Sequence, residues 1–198
     1  MSFLDLYMNK NPLITGSDEG GEPIATIFGV PFDATHSYKP GCRFGADAIR
    51  DSFNNIEIFH PDLGIDLESV NIEDLGNTRH TVVASEMIWH QHGKYFQRQL
   101  FILGGEHSIT YGTYTSFPKN TGYVVFDAHY DLRDEFADIK LSHASYLRRI
   151  VEERGAENIL HVGARAFVQE ELEFLTENKI KTVSSVNLPA CNVSPPIQ

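Results

Sequence analysis

With 198 residues, of which 41% are hydrophobic, the chain is long enough to bury a full core and is most simply a single domain. Its formal net charge of -11 argues against a general nucleic-acid binder and favours small cationic molecules near the surface. Cys42 and Cys191 lie far apart, which indicates neither a disulfide framework nor a thiolate zinc site. Because no apolar run approaches the roughly 20 residues of a membrane helix, we expect a protein of the reducing cytoplasm with no membrane partner.

Apolar runs rich in β-branched residues alternate with stretches of helical spacing, which is the pattern of an α/β protein with a parallel sheet. In chain order, the pattern predicts strand 24–30, helices 45–54 and 79–97, strand 100–103, helix 108–114, strand 123–126, helix 143–153, strand 159–162, helix 168–178 and strand 181–184.

The domain is predicted to cover residues 1–187. Beyond it, Pro189, Pro195 and Pro196 suit neither a helix interior nor a central strand, so residues 188–198 are predicted to form an irregular or disordered tail.

Three metal-competent side chains follow the predicted strand 123–126 at alternate positions: Asp127, His129 and Asp131. In an extended backbone these side chains would point the same way. Two ionised carboxylates this close repel, and a bound divalent cation would leave both of them charged. For this motif alone, a solvated strand end with an Asp cap is an equally good interpretation, because short motifs have many chance matches.

A second polar pair, Glu106 and His107, follows Gly104 and Gly105 at another strand-to-helix turn. In a parallel sheet, ligands bind beyond the carboxyl ends of the strands, where both groups are predicted to lie. On its own, His107 is more often a hydrogen-bonding residue at a helix start. Together with residues 127–131 it gives a mixed imidazole and carboxylate set, which suits Mn²⁺ better than Ca²⁺ or a thiolate-bound metal.

Five collinear blocks resemble the ureohydrolase family of arginases and agmatinases, and among these the chain most resembles the agmatinases. The blocks are the stretch from Pro31 to Arg50, G-G-E-H-S at 104–108, F-D-A-H-Y-D-L-R-D-E at 126–135, L-S-H-A-S at 141–145 and V-G-A-R at 162–165. The resemblance implies a three-layer α/β/α domain with a mainly parallel sheet.

The resemblance also implies a reaction, in which a metal-bound hydroxide hydrolyses a guanidino C–N bond, as in the conversion of agmatine to putrescine and urea. It implies two Mn²⁺ ions, with His107, Asp127 and Asp131 on one ion and Asp127 and His129 reaching the other. His143 matches the proton-shuttling histidine, although taken alone it would be a surface histidine at a helix start. No substrate-binding residue can be assigned, and family members assemble as trimers or hexamers.

The resemblance breaks near the C-terminus. Family members continue to a strand with a further Asp-x-Asp pair, whereas this chain reads S-S-V-N-L-P-A-C-N-V-S-P-P-I-Q after Val183. We therefore expect a C-terminally shortened member that lacks the last strands and helices. A catalytically inactive homologue that binds metal weakly or acts as a subunit is the alternative. A formiminoglutamate-type hydrolase shares the scaffold, but its anionic substrate is disfavoured by the net charge of -11.

Overall fold

The computed structural model describes residues 21–78 and 99–185, together with the backbone of Met8–Asn9. It divides into two compact units, residues 1–109 and residues 110–198. The single domain expected over residues 1–187 stays a prediction, and the tail expected over 188–198 lies outside the described residues. No helix in the described part is long and apolar enough to cross a membrane.

The first unit is built on a four-stranded sheet in the order β1-β5-β2-β6, in which β2 pairs in parallel with both β5 and β6. A short antiparallel ladder joins β3 to β4. The described elements are β1 (Met8–Asn9), β2 (Ala25–Val30), α1 (Gly45–Phe53), β3 (Phe59–His60), β4 (Ile65–Asp66), β5 (Ile72–Thr78) and β6 (Gln99–Gly104).

The second unit holds a parallel sheet in the order β7-β8-β9, with helices between its strands. Its elements are α2 (Ile109–Thr115), which begins at the boundary of the units, β7 (Tyr123–Phe126), α3 (Tyr146–Arg154), β8 (Ile159–Val162), α4 (Gln169–Glu177) and β9 (Lys181–Val183).

Helix α3 shows why this unit packs. Its buried residues are Tyr146, Leu147, Ile150 and Val151, which recur at helical spacing and so form one apolar stripe. They join a core to which β7, β8 and the segments around them also contribute. Fully burying side chains of this kind stabilises the fold by about 1.5–3 kcal/mol each. The helix ends at Gly155, whose φ of 81° lies in the left-handed region that glycine adopts without a steric cost.

The predicted α/β class with mainly parallel pairing is confirmed. Strands 123–126 and 159–162 have the predicted bounds, and the other predicted strands differ by one residue at one or both ends. The last two predicted helices shift by one to three residues. The helix predicted over 79–97 lies outside the described residues. Strand β5 was not predicted, and neither were the short strands β1, β3 and β4.

Strand β5 is held by a buried arginine from α1. Arg50 is 0% exposed, and its Nε and Nη2 atoms donate to the two carboxylate oxygens of Asp74 at 2.8 and 2.9 Å. Its Nη1 donates to Asn77 Oδ1 at 2.5 Å, and its Nη2 also reaches the carbonyl oxygen of Gly76 at 3.1 Å. The bidentate geometry suits a guanidinium and a carboxylate. Arg50 is therefore a structural brace that explains how so polar a segment forms a strand.

We expect Arg50→Met to lower the free energy of unfolding by about 3–5 kcal/mol, because it removes the guanidinium that pairs with the buried carboxylate of Asp74. Urea denaturation of the purified chain measures this. Lys140→Met is the control, since Lys140 and Asp134 form an exposed ion pair, and it should cost less than about 1 kcal/mol. Equal effects of the two substitutions would contradict the assignment.

Candidate metal centre

Strand β7 ends at Phe126, and the segment after it is a loop anchored to the chain that follows β8. The amide of Asp127 donates to the carbonyl oxygen of Val162 at 3.0 Å. The carbonyl oxygen of Ala128 accepts from the amides of Arg165 and Ala166 at 2.9 and 3.0 Å. Residues 127–129 therefore run beside residues 162–166, beyond the carboxyl ends of two parallel strands.

Asp127 and His129 interact at the start of this loop. Asp127 Oδ1 accepts a hydrogen bond from the backbone amide of His129 at 2.9 Å and lies 3.5 Å from His129 Nδ1. The His129 side chain is 64% exposed, whereas that of Asp127 is 21% exposed. The imidazole of His129 therefore stands at the surface beside the Asp127 carboxylate.

Asp131 is buried, at 8% exposure, and its φ of 53° lies in the left-handed region. That region costs most residues about 1–2 kcal/mol, but Asp and Asn enter it more readily because their short polar side chains can bond locally. A carboxylate oxygen of Asp131 lies within 4.8 Å of one of Asp127. The structure therefore brings these two carboxylates together.

The carboxylate pair is suited to a cation. Two unit charges at this separation repel by about 3 kcal/mol at an effective dielectric constant near 20. A divalent ion bound between them would replace that repulsion by attraction. The donor set of carboxylate oxygens with an imidazole nearby fits a first-row divalent ion.

The route by which the side chains converge differs from the expected one. Simple alternation along an extended strand is wrong for residues 127–131, because the strand stops at Phe126 and Asp131 turns into the left-handed region. The pairing of Asp127 with Asp131 is thus a product of loop geometry.

His107 lies in the first unit, on a turn that is tightly fixed. The amides of Gly105 and Glu106 donate to the carbonyl oxygens of Val30 and Phe32 at 3.1 and 2.8 Å. A Cβ at Gly105 would lie 2.0 Å from the Phe32 carbonyl oxygen, so only glycine fits there.

The buried carboxylate of Glu106 ties the same turn to a neighbouring loop. It accepts from the Thr35 amide at 2.7 Å, from Thr35 Oγ1 at 2.5 Å and from Ser108 Oγ at 2.5 Å. Glu106 therefore fixes the backbone on both sides of His107, which is half-buried.

His143 lies in the second unit, three residues before α3 begins. Its ring meets that of Phe136 edge-on, with centroids 5.2 Å apart. The flanking turn is held by Ser142 and Ser145, whose hydroxyl oxygens lie 2.8 Å apart, and Ser145 Oγ also donates to the carbonyl oxygen of Lys140 at 2.9 Å. His143 is therefore presented by an ordered turn and is half-buried.

Sequence reasoning missed two side chains that support the loop of residues 127–132. His161 is buried on β8, and its Nε2 donates to the carbonyl oxygen of His129 at 2.7 Å. Glu171 on α4 accepts a hydrogen bond from the amide of Leu132 at 3.0 Å. For His161, the only available signal was that a polar residue stands at an apolar position of a strand. For Glu171 there was no signal, because nothing distinguished it from the other acidic residues of its helix.

Comparison with known proteins decides the family. A family model described as "Arginase family" matches residues 24–197. The chain belongs to the arginase family. The resemblance seen in the five sequence blocks is confirmed.

Relatives within the arginase family are longer than this chain. The agmatinase of Pyrococcus horikoshii is 39% identical over 165 residues, which are 79% of this chain and 57% of that protein. The N(1)-aminopropylagmatine ureohydrolase of Thermococcus kodakarensis is 37% identical over 165 residues, covering 79% of this chain and 56% of that protein.

A solved structure supports the same assignment. The crystal structure of the agmatine ureohydrolase of Thermoplasma volcanium matches with a TM-score of 0.77 and 30% identity, covering 89% of this chain and 63% of that chain. The expected arginase-like fold is confirmed, and the chain spans less than two thirds of the length of these relatives.

Beside the carboxylate pair, two tyrosine hydroxyls, those of Tyr123 and Tyr146, lie 3.0 Å apart. Burial raises the pKa of Tyr123 to about 12; its hydrogen bond with Tyr146 lowers that pKa, and the charges of Asp131 and Asp127 raise it further. Burial also holds the pKa of Tyr146 well above its ordinary value.

These pKa shifts predict a loss of stability in alkali. Since the folded pKa of Tyr123 exceeds the unfolded value near 10, the stabilisation is complete below pH 10 and is lost as the pH rises towards 12. Between pH 9 and pH 11, the free energy of unfolding of the wild type should fall by about 1 kcal/mol more than that of Tyr123→Phe. Tyr38→Phe, at an exposed position, should leave the loss unchanged. An equal loss in wild type and Tyr123→Phe would contradict this assignment.

Proposed function

We propose that this chain carries out manganese-dependent hydrolysis of the guanidino C–N bond of a small cationic substrate. The observation that carries the proposal is the approach of the Asp127 and Asp131 carboxylates to within 4.8 Å, in a chain of the arginase family. A bound divalent cation would stabilise two such charges together.

The proposed ligands of the first ion are His107, Asp127 and Asp131, and Asp127 and His129 reach a second ion. The support is chemical: imidazole nitrogen and carboxylate oxygen suit Mn²⁺, and Asp127 has a second oxygen to offer. When bound, the metal would supply acidity, by lowering the pKa of a bound water towards neutrality.

The substrate class is inferred from charge and from the relatives. Two of them are named for agmatine and N(1)-aminopropylagmatine, which combine a guanidinium with an amine. A net charge of -11 favours such cations near the surface. We therefore assign agmatine or a longer amine-bearing guanidine as the substrate, with urea and an amine as products.

His143 is proposed to move the proton that the reaction requires. Water contributes its oxygen to the guanidinium carbon, the bond from that carbon to the substituted nitrogen breaks, and this nitrogen leaves as an amine that takes up a proton. An imidazole can both accept and donate a proton, and it is therefore suited to deliver it.

Urea release tests the function directly. The purified chain, supplied with Mn²⁺, is offered agmatine, arginine and guanidinobutyrate in parallel, and we expect urea from agmatine first. Urea from none of the three, in protein that has bound Mn²⁺, would contradict the proposal and favour a catalytically inactive homologue.

Asparagine substitutions test the metal ligands. Asp127→Asn and Asp131→Asn should each lower both Mn²⁺ affinity and urea release, because each removes the charge of a proposed ligand. The loss should exceed the roughly 10- to 100-fold that is typical when a residue that only hydrogen-bonds to a metal ligand is replaced. The matched control is Asp138→Asn, since Asp138 is an exposed loop aspartate that also has a left-handed φ, of 62°. Equal Mn²⁺ binding by all three variants would exclude these carboxylates as ligands.

A further inference from the structure

We propose that Glu171 is a positioning residue that fixes the Asp131 carboxylate for metal binding, by holding the peptide group directly after Asp131. The metal-binding part rests on the proposed function. The structural part rests on contacts within the second unit alone.

Glu171 is an unusual member of its helix. Among the nine residues of α4, all within the described part, Glu171 is the buried one, at 4% exposure. Each of its carboxylate oxygens accepts a backbone hydrogen bond: Oε1 from the Leu132 amide at 3.0 Å and Oε2 from the Val168 amide at 2.9 Å. A buried carboxylate persists only when it is hydrogen-bonded in this way.

The hydrogen bond from the Val168 amide is local, and it occupies only one of the two carboxylate oxygens of Glu171. Val168 precedes the first turn of α4, and Glu171 accepts from it as the third residue of a helix often does. Val168 has no side-chain acceptor to return the bond. The other oxygen of Glu171 reaches 39 residues back along the chain to Leu132, and helix formation does not require that contact.

The Leu132 amide belongs to the peptide group that leaves Asp131. Because a peptide group is planar, fixing the direction of this N–H fixes the ψ angle of Asp131. Asp131 already has a left-handed φ of 53°, a conformation that persists when its surroundings determine it. With φ and ψ both set, the direction of the Cα–Cβ bond is set as well, and the carboxylate is then limited to the few positions that the side-chain rotamers allow.

The middle of the loop is held independently, at His129. His161 Nε2 donates to the His129 carbonyl oxygen at 2.7 Å, and the rings of His161 and Tyr130 meet edge-on with centroids 5.0 Å apart. Glu171 holds the end of the loop by accepting the hydrogen bond from the amide of Leu132, whose side chain is fully buried. The loop of residues 127–132 is therefore held at His129 and at Leu132 by side chains from β8 and α4.

Glu171→Gln tests the role with little change of shape. Glutamine keeps one acceptor oxygen but presents an NH₂ group in place of the other, so it cannot accept from both amides. We expect faster hydrogen exchange at the Leu132 amide, measured by NMR, and an approximately 10-fold or larger loss of Mn²⁺ affinity, measured by titration calorimetry.

Two controls on the same helix separate positioning from stability. Glu173→Gln changes an exposed glutamate that contacts Gln169, and should alter neither readout. Leu175→Ala removes an apolar side chain that packs against the core of the second unit and that cannot form a hydrogen bond with the loop of residues 127–132. It should lower the thermal midpoint while leaving Mn²⁺ affinity within about twofold of the wild type.

The outcomes decide between the two parts of the proposal. Unchanged Leu132 exchange and Mn²⁺ affinity in Glu171→Gln would overturn it, as would an equal loss of affinity in Leu175→Ala. If wild-type protein binds no Mn²⁺, the proposed function fails, and Leu132 exchange alone decides whether Glu171 fixes the segment. Should Glu171→Gln not fold, Glu171→Asp keeps the charge with a shorter reach and should show the same two effects.

Discussion

The backbone of the second unit holds the carboxylates of Asp127 and Asp131 within 4.8 Å of each other, against their mutual repulsion. This closeness arises from several weak contacts acting on one loop. The loop leaves β7 at Phe126, lies beside the segment after β8, and turns at Asp131 into a left-handed conformation. A loop built in this way keeps its proposed metal ligands oriented before a cation binds, so binding does not have to order them.

Each unit uses a buried glutamate to fix the backbone beside a proposed ligand. Glu106 accepts from the amide and hydroxyl of Thr35 and so secures the turn that carries His107. Glu171 accepts from the Leu132 amide and secures the residue after Asp131. Because carboxylates accept backbone hydrogen bonds strongly, each can order a loop that has no regular structure of its own.

The parts of the fold that could be predicted are those decided by local pattern. Strand β7 was predicted because its apolar run is short and rich in valine, and Asp127 and Asp131 stood out because carboxylates follow it directly. Strand β5 was missed because Asp74 and Asn77 make it polar, and their partner Arg50 lies more than 20 residues away. The role of Glu171 could not be predicted for the same reason, since its contact with Leu132 spans 39 residues.

Anomalous diffraction from crystals of this chain grown with Mn²⁺ would show whether Asp127 and Asp131 bind the ion together. Data collected on both sides of the manganese absorption edge locate the ion independently of any assumption about activity. We expect an anomalous peak in contact with the carboxylate oxygens of both Asp127 and Asp131. An ordered loop with the two carboxylates turned apart, and no peak beside either, would contradict it.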